Sequence, residues 1–307
     1  MTTSGRSPEP PPPPADGVDL QDHTVAIDLL DRAAEANLQA AGRRGAVVDL
    51  PATGRLLVSG DLHDHGLNFM RLLRLARLHR DEGHHVILHE LIHGPHRVNG
   101  MDLSIRTLMR VAALKIQYPK QVHLLLANHE LSQLNGDEIL KDGVSVVKAF
   151  DEGVGYIYGD RAGDVSAAMA GFVRSMLLAV RCPNGIMCSH SLPSPRMLDA
   201  FDTTVLDRVP NDDDLRSRGA AHTMVWGRNQ DQAVADALGQ SWDTRLFVMG
   251  HQPAEMGYFA LGESMLVIAS DHNHGQGLPI DLSRRYQRDD LIRELVPLAS
   301  VVASTDA

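Results

Sequence analysis

The run Arg55-Leu-Leu-Val-Ser-Gly-Asp-Leu-His63 decides how the rest of the chain is read. Residues 55–59 read as a buried strand that runs into Gly60. An acid and an imidazole then stand two residues apart. At a strand end, side chains at i and i+2 project to the same side, so Asp61 and His63 can address one ligand. Gly60 lets the backbone turn close beside that ligand. Four further segments repeat the arrangement: Leu88-His-Glu-Leu-Ile-His93, Ala127-Asn-His-Glu130, Cys188-Ser-His-Ser-Leu-Pro193 and Met249-Gly-His-Gln-Pro253. Each places Asp, Glu, Asn or His just after an apolar run. In open α/β sheets, ligands bind at the carboxyl ends of strands, where residues distant in sequence meet.

Between these segments the pattern alternates. The spacing predicts helices over 24–41, 66–80 and 101–117, and strands over 85–89 and 121–127. This β-α-β-α-β order implies an α/β fold with a largely parallel sheet covered by helices. Residues 129–180 read as mainly helical with glycine breaks. Short strands are expected at 185–189, 246–249, 258–260 and 265–269. Five consecutive prolines, Pro10 to Pro14, mark residues 1–17 as an extended tail, a weak candidate for recruiting a protein partner.

The composition narrows the function. Among 307 residues, 29 Lys and Arg face 39 Asp and Glu, giving a net charge of −10, which argues against nucleic acid as the main partner. No apolar run is long enough for a membrane span, and the first residues lack a signal-type hydrophobic stretch, so we expect a cytoplasmic protein without membrane association. Two cysteines, Cys182 and Cys188, provide neither a disulfide framework nor a four-cysteine zinc site. Sixteen histidines are many for this length; with no consecutive run they are not a tag, and their positions have to decide between metal and accident. Mixed oxygen and nitrogen donors suit Mn, Fe, Zn or Co better than Mg or Ca.

On these segments, in this order, the chain resembles the calcineurin-like metallophosphoesterases, most nearly their serine/threonine phosphoprotein phosphatase branch. Gly60-Asp-Leu-His63 is similar to GDxH, His89-Glu-Leu-Ile-His93 to GDxxD, and Ala127-Asn-His-Glu130 to GNHE. His190 and His251 are similar to the two later metal histidines. The likeness runs from about residue 55 to 278. It implies a metallophosphoesterase-type central β-sandwich flanked by helices, with a metal site at strand carboxyl ends and two divalent cations. It also implies ligands: Asp61, His63 and His251 for one metal, Asn128 and His190 for the other, and Glu90 bridging. His129 would be the general acid, and Glu130 and His93 supporting residues behind the ligands. The implied reaction is hydrolysis of a phosphorylated substrate, a phosphoprotein or small phosphomonoester, by a metal-bridging hydroxide. This reading divides the chain into the tail (1–17), an N-terminal helix with a lead-in strand (18–54), a metallophosphoesterase domain (55–285) and a C-terminal extension (286–307).

The second segment departs from the family pattern. Its glycine is His89, its bridging aspartate is Glu90, its second aspartate is His93, and the arginine that follows is Gly94. Before Asn128, the usual Arg-Gly is Leu126-Ala127. Both phosphate-clamping arginines are therefore replaced. Arg228 and Arg97 are the candidate substitutes for substrate binding. These departures leave two alternatives: a catalytically degenerate phosphatase fold that binds without turnover, and a phosphodiesterase or dinucleoside-polyphosphate hydrolase.

Overall fold

A computed structural model describes residues 19–141 and 143–302. The Pro-rich tail, with its suggested partner role, lies outside the described residues. Helix α1 (His23–Leu38) starts at Asp22, whose side chain accepts from the Thr24 amide, and ends three residues before the predicted boundary. Gly42, at φ 75°, then turns the chain into the short strands β1 (Arg43–Arg44) and β2 (Val47–Asp49). The strand predicted over 55–59 extends to Asp61 as β3 (Arg55–Asp61). Helix α2 (Gly66–Ala76) stops short of residue 80 because Arg77 adopts the left-handed conformation, φ 51°. The remaining residues form a 3₁₀ turn, Leu78–Arg80.

Strand β4 (His84–His89), helix α3 (Ile105–Gln117) and strand β5 (Val122–Leu124) follow in the expected order. Helix α4 (Asn128–Asn135) comes next. The region predicted as mainly helical holds a hairpin, β6 (Leu140–Lys141) with β7 (Val144–Ser145), before helices α5 (Val146–Tyr158) and α6 (Ala162–Arg174). Strands β8 (Ala179–Cys182) and β9 (Ile186–Ser189) pair antiparallel. After two short helices, α7 (Asp212–Leu215) and α8 (Ala220–Val225), helix α9 (Gln232–Trp242) leads to β10 (Leu246–Met249). The chain closes with β11 (Tyr258–Leu261), β12 (Met265–Ile268), β13 (Gln276–Asp281), helix α10 (Arg288–Glu294) and β14 (Val296–Pro297).

The strands form two mixed sheets, ordered β14-β13-β3-β4-β5 and β1-β2-β8-β9-β10-β12-β11. The parallel core β3-β4-β5 is the predicted β-α-β-α-β unit, with β13 added antiparallel along β3. Pro279 sits inside β13, where its missing N–H costs no ladder bond, because β14 pairs with Gln276 and Gly277 alone and leaves that outer edge open. Alternation along β3 sorts the apolar side chains. Leu56 and Val58 join Val180, Ile186, Val248 and Leu266 in an aliphatic layer between the sheets. Leu57 faces the helices with Val86 and Leu88. The architecture is a β-sandwich flanked by helices.

At one end the two sheets touch. Asp61 bridges to Ala269, and a Cβ on Gly60 would lie 2.3 Å from the Ile268 carbonyl oxygen, so only glycine fits there. The boundaries drawn at 54 and 285 cut across this system: β2 pairs with β8, and β14 pairs with β13. Helix α1 packs on α6 and α3 rather than on a sheet edge. No helix among the described residues is long and apolar enough to cross a membrane.

Candidate metal centre

The carboxyl ends of β3, β4, β5, β9 and β10 deliver the five segments to one place. Asp61 ends β3. His89 ends β4, and Glu90 is the next residue. Asn128 opens α4 after β5, His190 follows β9, and His251 lies two residues past β10. All six are buried. Three overlapping groups of ligand atoms result: Asp61, His89 and His190; His63, Glu90 and His129; and Glu90, His190 and His251. Within each group the atoms lie no more than 4.8 Å apart. Glu90 and His190 each belong to two groups, so the three form one continuous cluster.

The loops that present these side chains adopt costly backbone shapes. His63, Asp64, Glu90, His93 and His251 all have positive φ, from 42° to 67°. Each such residue costs on the order of 1–3 kcal/mol and persists only where its surroundings fix it. The hydrogen bonds that fix them are visible. The amides of Leu62 and His63 donate to the Glu90 carbonyl at 3.0 and 2.7 Å. Those of Leu91 and Ile92 donate to Glu130 Oε1 at 2.6 and 3.2 Å. The His251 amide donates to both oxygens of Asp61, each at 2.9 Å. Glu130 thus clamps the β4–α3 loop from beneath, and Asp61 clamps the His251 turn.

Hydrogen-bond logic settles which nitrogens carry lone pairs. His89 Nε2 lies 3.0 Å from the Ser59 carbonyl, which can only accept, so His89 Nδ1 is an acceptor. His190 Nδ1, 3.0 Å away, must then donate to it. His190 Nε2 is left with a lone pair. It faces Asn128 Oδ1 at 2.9 Å, Glu90 Oε2 at 3.0 Å and His251 Nδ1 at 3.2 Å. His63 behaves in the same way: its Nδ1 donates to the Ile92 carbonyl at 3.0 Å, which leaves Nε2 unprotonated. His251 Nε2 accepts from Arg228 Nε at 3.0 Å, so His251 Nδ1 carries the ring proton and donates to Asn128 Oδ1 at 2.8 Å. The oxygen and nitrogen donors of Asp61, His63, Glu90, Asn128 and His190 gather at the same strand ends, a set that fits divalent metal, and His251 joins it on releasing that proton. His89, which stands where the family pattern has a glycine, has a definite place: it sets the tautomer of His190.

The electrostatics agree. Burial pulls His63, His89 and His190 down to about 3, so these rings are neutral and able to ligate. Burial also pushes Glu90 up to about 8. Asp61 is raised well above its usual range by burial and then by the nearby Glu90. Buried carboxylates held so unfavourably are stabilised by a positive ion. The ring of His251 groups with Asn128, His190 and Glu90, not with Asp61 and His63 as the resemblance implied; its backbone amide is what reaches Asp61.

No family model matches the sequence, and no curated protein matches it. Among solved structures, a Saccharomyces cerevisiae protein serine/threonine phosphatase with similarity to human phosphatase PP5 superposes with a TM-score of 0.61. It is 15% identical, over 84% of this chain and 82% of that one. A cold-active protein-tyrosine phosphatase from a psychrophilic Shewanella superposes with a TM-score of 0.56 at 14% identity, over 81% of each chain. The fold is that of the calcineurin-like metallophosphoesterases. In this metallophosphoesterase fold, the strand ends that carry the cluster are the ones the sequence marked.

The remaining candidates fall around that centre. His129 presents its ring edge to His63, centroids 4.8 Å apart, and its amide donates to Glu90 Oε1 at 3.1 Å. His93 Nδ1 lies 2.8 Å from His129 Nδ1, and His93 Nε2 lies 2.9 Å from Gln133 Oε1. The Gln133 amide nitrogen donates to Asp151 at 2.7 Å. Arg228 Nε donates to His251 Nε2 at 3.0 Å and lines an open groove with Arg196, Trp226 and Asn229. Arg97 sits nearer the periphery, where its charge acts on His93 and Asp102. His65 caps α2, and His272 bonds the Ala254 carbonyl, so both serve loops. Lys141, Gln133 and Asp151 were invisible to motif reading. Lys141 Nζ lies 3.4 Å from His63 Nε2.

Proposed function

We propose that the chain is a metal-dependent phosphoester hydrolase acting on a phosphoprotein or a small phosphomonoester. The observation that carries this is the cluster of Asp61, His63, Glu90, Asn128, His190 and His251, whose oxygen and nitrogen atoms gather at the carboxyl ends of five strands in a metallophosphoesterase fold. Glu90, Asn128, His190 and His251 would hold one cation, and Asp61 and His63, with Glu90 shared, the other. Bound there, two divalent ions would supply Lewis acidity at the phosphoryl oxygens and a nucleophilic water at neutral pH.

The chain's own residues do the rest. His129 faces the same space and is the group that delivers a proton to the leaving oxygen. Gln133 Oε1 can only accept, so His93 Nε2 donates to it and His93 Nδ1 accepts from His129 Nδ1. His129 Nε2 is then free to face the substrate. Burial, followed by the neighbouring His63 ring and the charge of Lys141, holds His129 far below the usual imidazole range. His129 must therefore take up a proton before it can give one, and the negative charge of a bound phosphoester favours that uptake. Arg228, beside His251, binds the substrate's anionic portion, and Arg97 does so at the rim.

The test is hydrolysis by the manganese-loaded protein of p-nitrophenyl phosphate, bis-p-nitrophenyl phosphate, phosphopeptides and nucleotides. Monoester turnover that falls about 100-fold or more in His129→Ala supports the proposal. Absence of turnover across the panel, or equal turnover in wild type and variant, would favour the degenerate reading. Preference for the diester would favour the phosphodiesterase one.

A further inference from the structure

Gly94 and Leu126 stand where the resemblance leads one to expect arginines beside the phosphate. The cations that the structure brings to the centre come from elsewhere. Arg228 approaches the His251 side. At His63 the cation is Lys141, from the β6–β7 hairpin. Lys141 pairs in register with Val144, and the hairpin is rooted where the Val146 amide donates to the Ile139 carbonyl at 3.0 Å.

The surroundings of Lys141 are those of a substrate contact rather than a surface charge. It is half-buried. Among the described residues its ammonium is bonded to an imidazole nitrogen, His63 Nε2, and to no carboxylate. Glu90, Asp271, Asp61 and Asp102 are near enough to act on it by charge, so it stands at the His63 end of the acidic cluster. His63 Nδ1 is committed to the Ile92 carbonyl, so Nε2 is the nitrogen that His63 has to offer a metal. That nitrogen cannot serve both a metal and Lys141. The displaced ammonium, still anchored by the hairpin, keeps three donors with one acceptor lost.

We propose that Lys141 binds a non-bridging oxygen of the substrate's phosphoryl group, taking over from the two replaced arginines and being supplied by the hairpin instead of the metal loops. This rests on the phosphoester reading above. A lysine is a compact point charge and a common phosphate partner, without the two-pronged geometry of arginine. A site clamped this way answers to the charge of the phosphoryl group more than to its orientation. It therefore favours a dianionic monoester over a monoanionic diester.

The test compares wild type, Lys141→Met and Lys141→Arg, all loaded with manganese, by metal content, by calorimetric affinity for inorganic phosphate and by turnover of the two p-nitrophenyl esters. We expect metal content to be unchanged in all three. Phosphate affinity in Lys141→Met should fall roughly 10- to 100-fold, the weight of one charge-assisted hydrogen bond. Its kcat/KM should fall by a similar factor for the monoester and by much less for the diester, and Lys141→Arg should recover most of the loss. Undiminished phosphate affinity in Lys141→Met, or metal loss in that variant, would overturn the assignment while leaving the phosphoester reading intact. A wild type that takes up metal but neither binds phosphate nor turns over either ester would overturn the phosphoester reading and this assignment together.

Discussion

Removing the Glu130 side chain should disable the centre without touching a proposed ligand. Glu130 Oε1 receives the amides of Leu91 and Ile92, which lie between Glu90 and His93, both at positive φ. Glu130→Ala leaves two buried N–H groups without an acceptor. Each such loss costs about 1–3 kcal/mol, so together they cost about 2–6 kcal/mol. Glu130→Gln is different. Burial and then the nearby Glu90 push Glu130 up to about 8. At pH 7 it is mostly protonated and already neutral, so the amide is a close replacement and its cost stays near 1 kcal/mol. The variants also separate on pH. A group raised in the fold contributes stability that is full below its unfolded value near 4.5 and is lost as pH rises through about 8. Glu130→Gln should therefore flatten the alkaline decline, whereas Glu130→Ala should lie low throughout. Urea unfolding of the chelator-treated protein from pH 5 to 9 measures both effects. A Glu130→Ala loss under about 1 kcal/mol, or an alkaline decline unchanged in Glu130→Gln, would refute the clamp.

Three further outcomes follow from the same geometry. Glu90 sits at about 8 and Asp61 is raised, so metal must displace protons; apparent manganese affinity should climb by up to about tenfold per proton per pH unit between pH 6 and 8, and a flat calorimetric profile would contradict this. Below pH 6.5 the metal-free protein should lose stability, because the buried rings of His63, His89, His93, His123, His129, His190 and His251, all held below the usual imidazole range, outnumber the raised carboxyls of Asp61, Glu90 and Glu130, whose opposite contribution is complete near pH 4.5; acid titration by circular dichroism reads this, and a constant midpoint down to pH 4 would count against it. Gly250→Ala should abolish metal uptake, since a Cβ there would lie 2.2 Å from Asp61 Oδ1 and 2.6 Å from His89 Cε1; elemental analysis showing full metal content would sink that expectation.

The metal-facing half of the molecule was legible in the sequence because its chemistry is local. A strand running into Asp-x-His or Asn-His-Glu states both the element and its end. The strand starts at residues 55, 84 and 122 were therefore placed to within one residue, although the strand expected over 121–127 ends at Leu124. What stayed hidden depends on contacts distant in sequence. Strand β13 contains Pro279, which argues against a strand until the open edge beside β14 is seen. The β6–β7 hairpin has two residues per strand, too few to show a period, and it was absorbed into a helical region. With it went Lys141. Gln133 and Asp151 lie on α4 and α5 with no motif of their own, and only packing joins them to His93. The assignment of His251 to one half of the centre came from resemblance; the contacts of its ring with Asn128 and of its amide with Asp61 join elements that no local motif relates.

The most direct test of a metal-dependent hydrolase is elemental analysis and hydrolysis of p-nitrophenyl phosphate on one preparation of wild type, Asp61→Asn and Glu90→Ala. The account predicts about two metal ions per chain in wild type, fewer in both variants, and turnover that disappears with them. Wild type without metal, or variants that keep both metal and turnover, would contradict it.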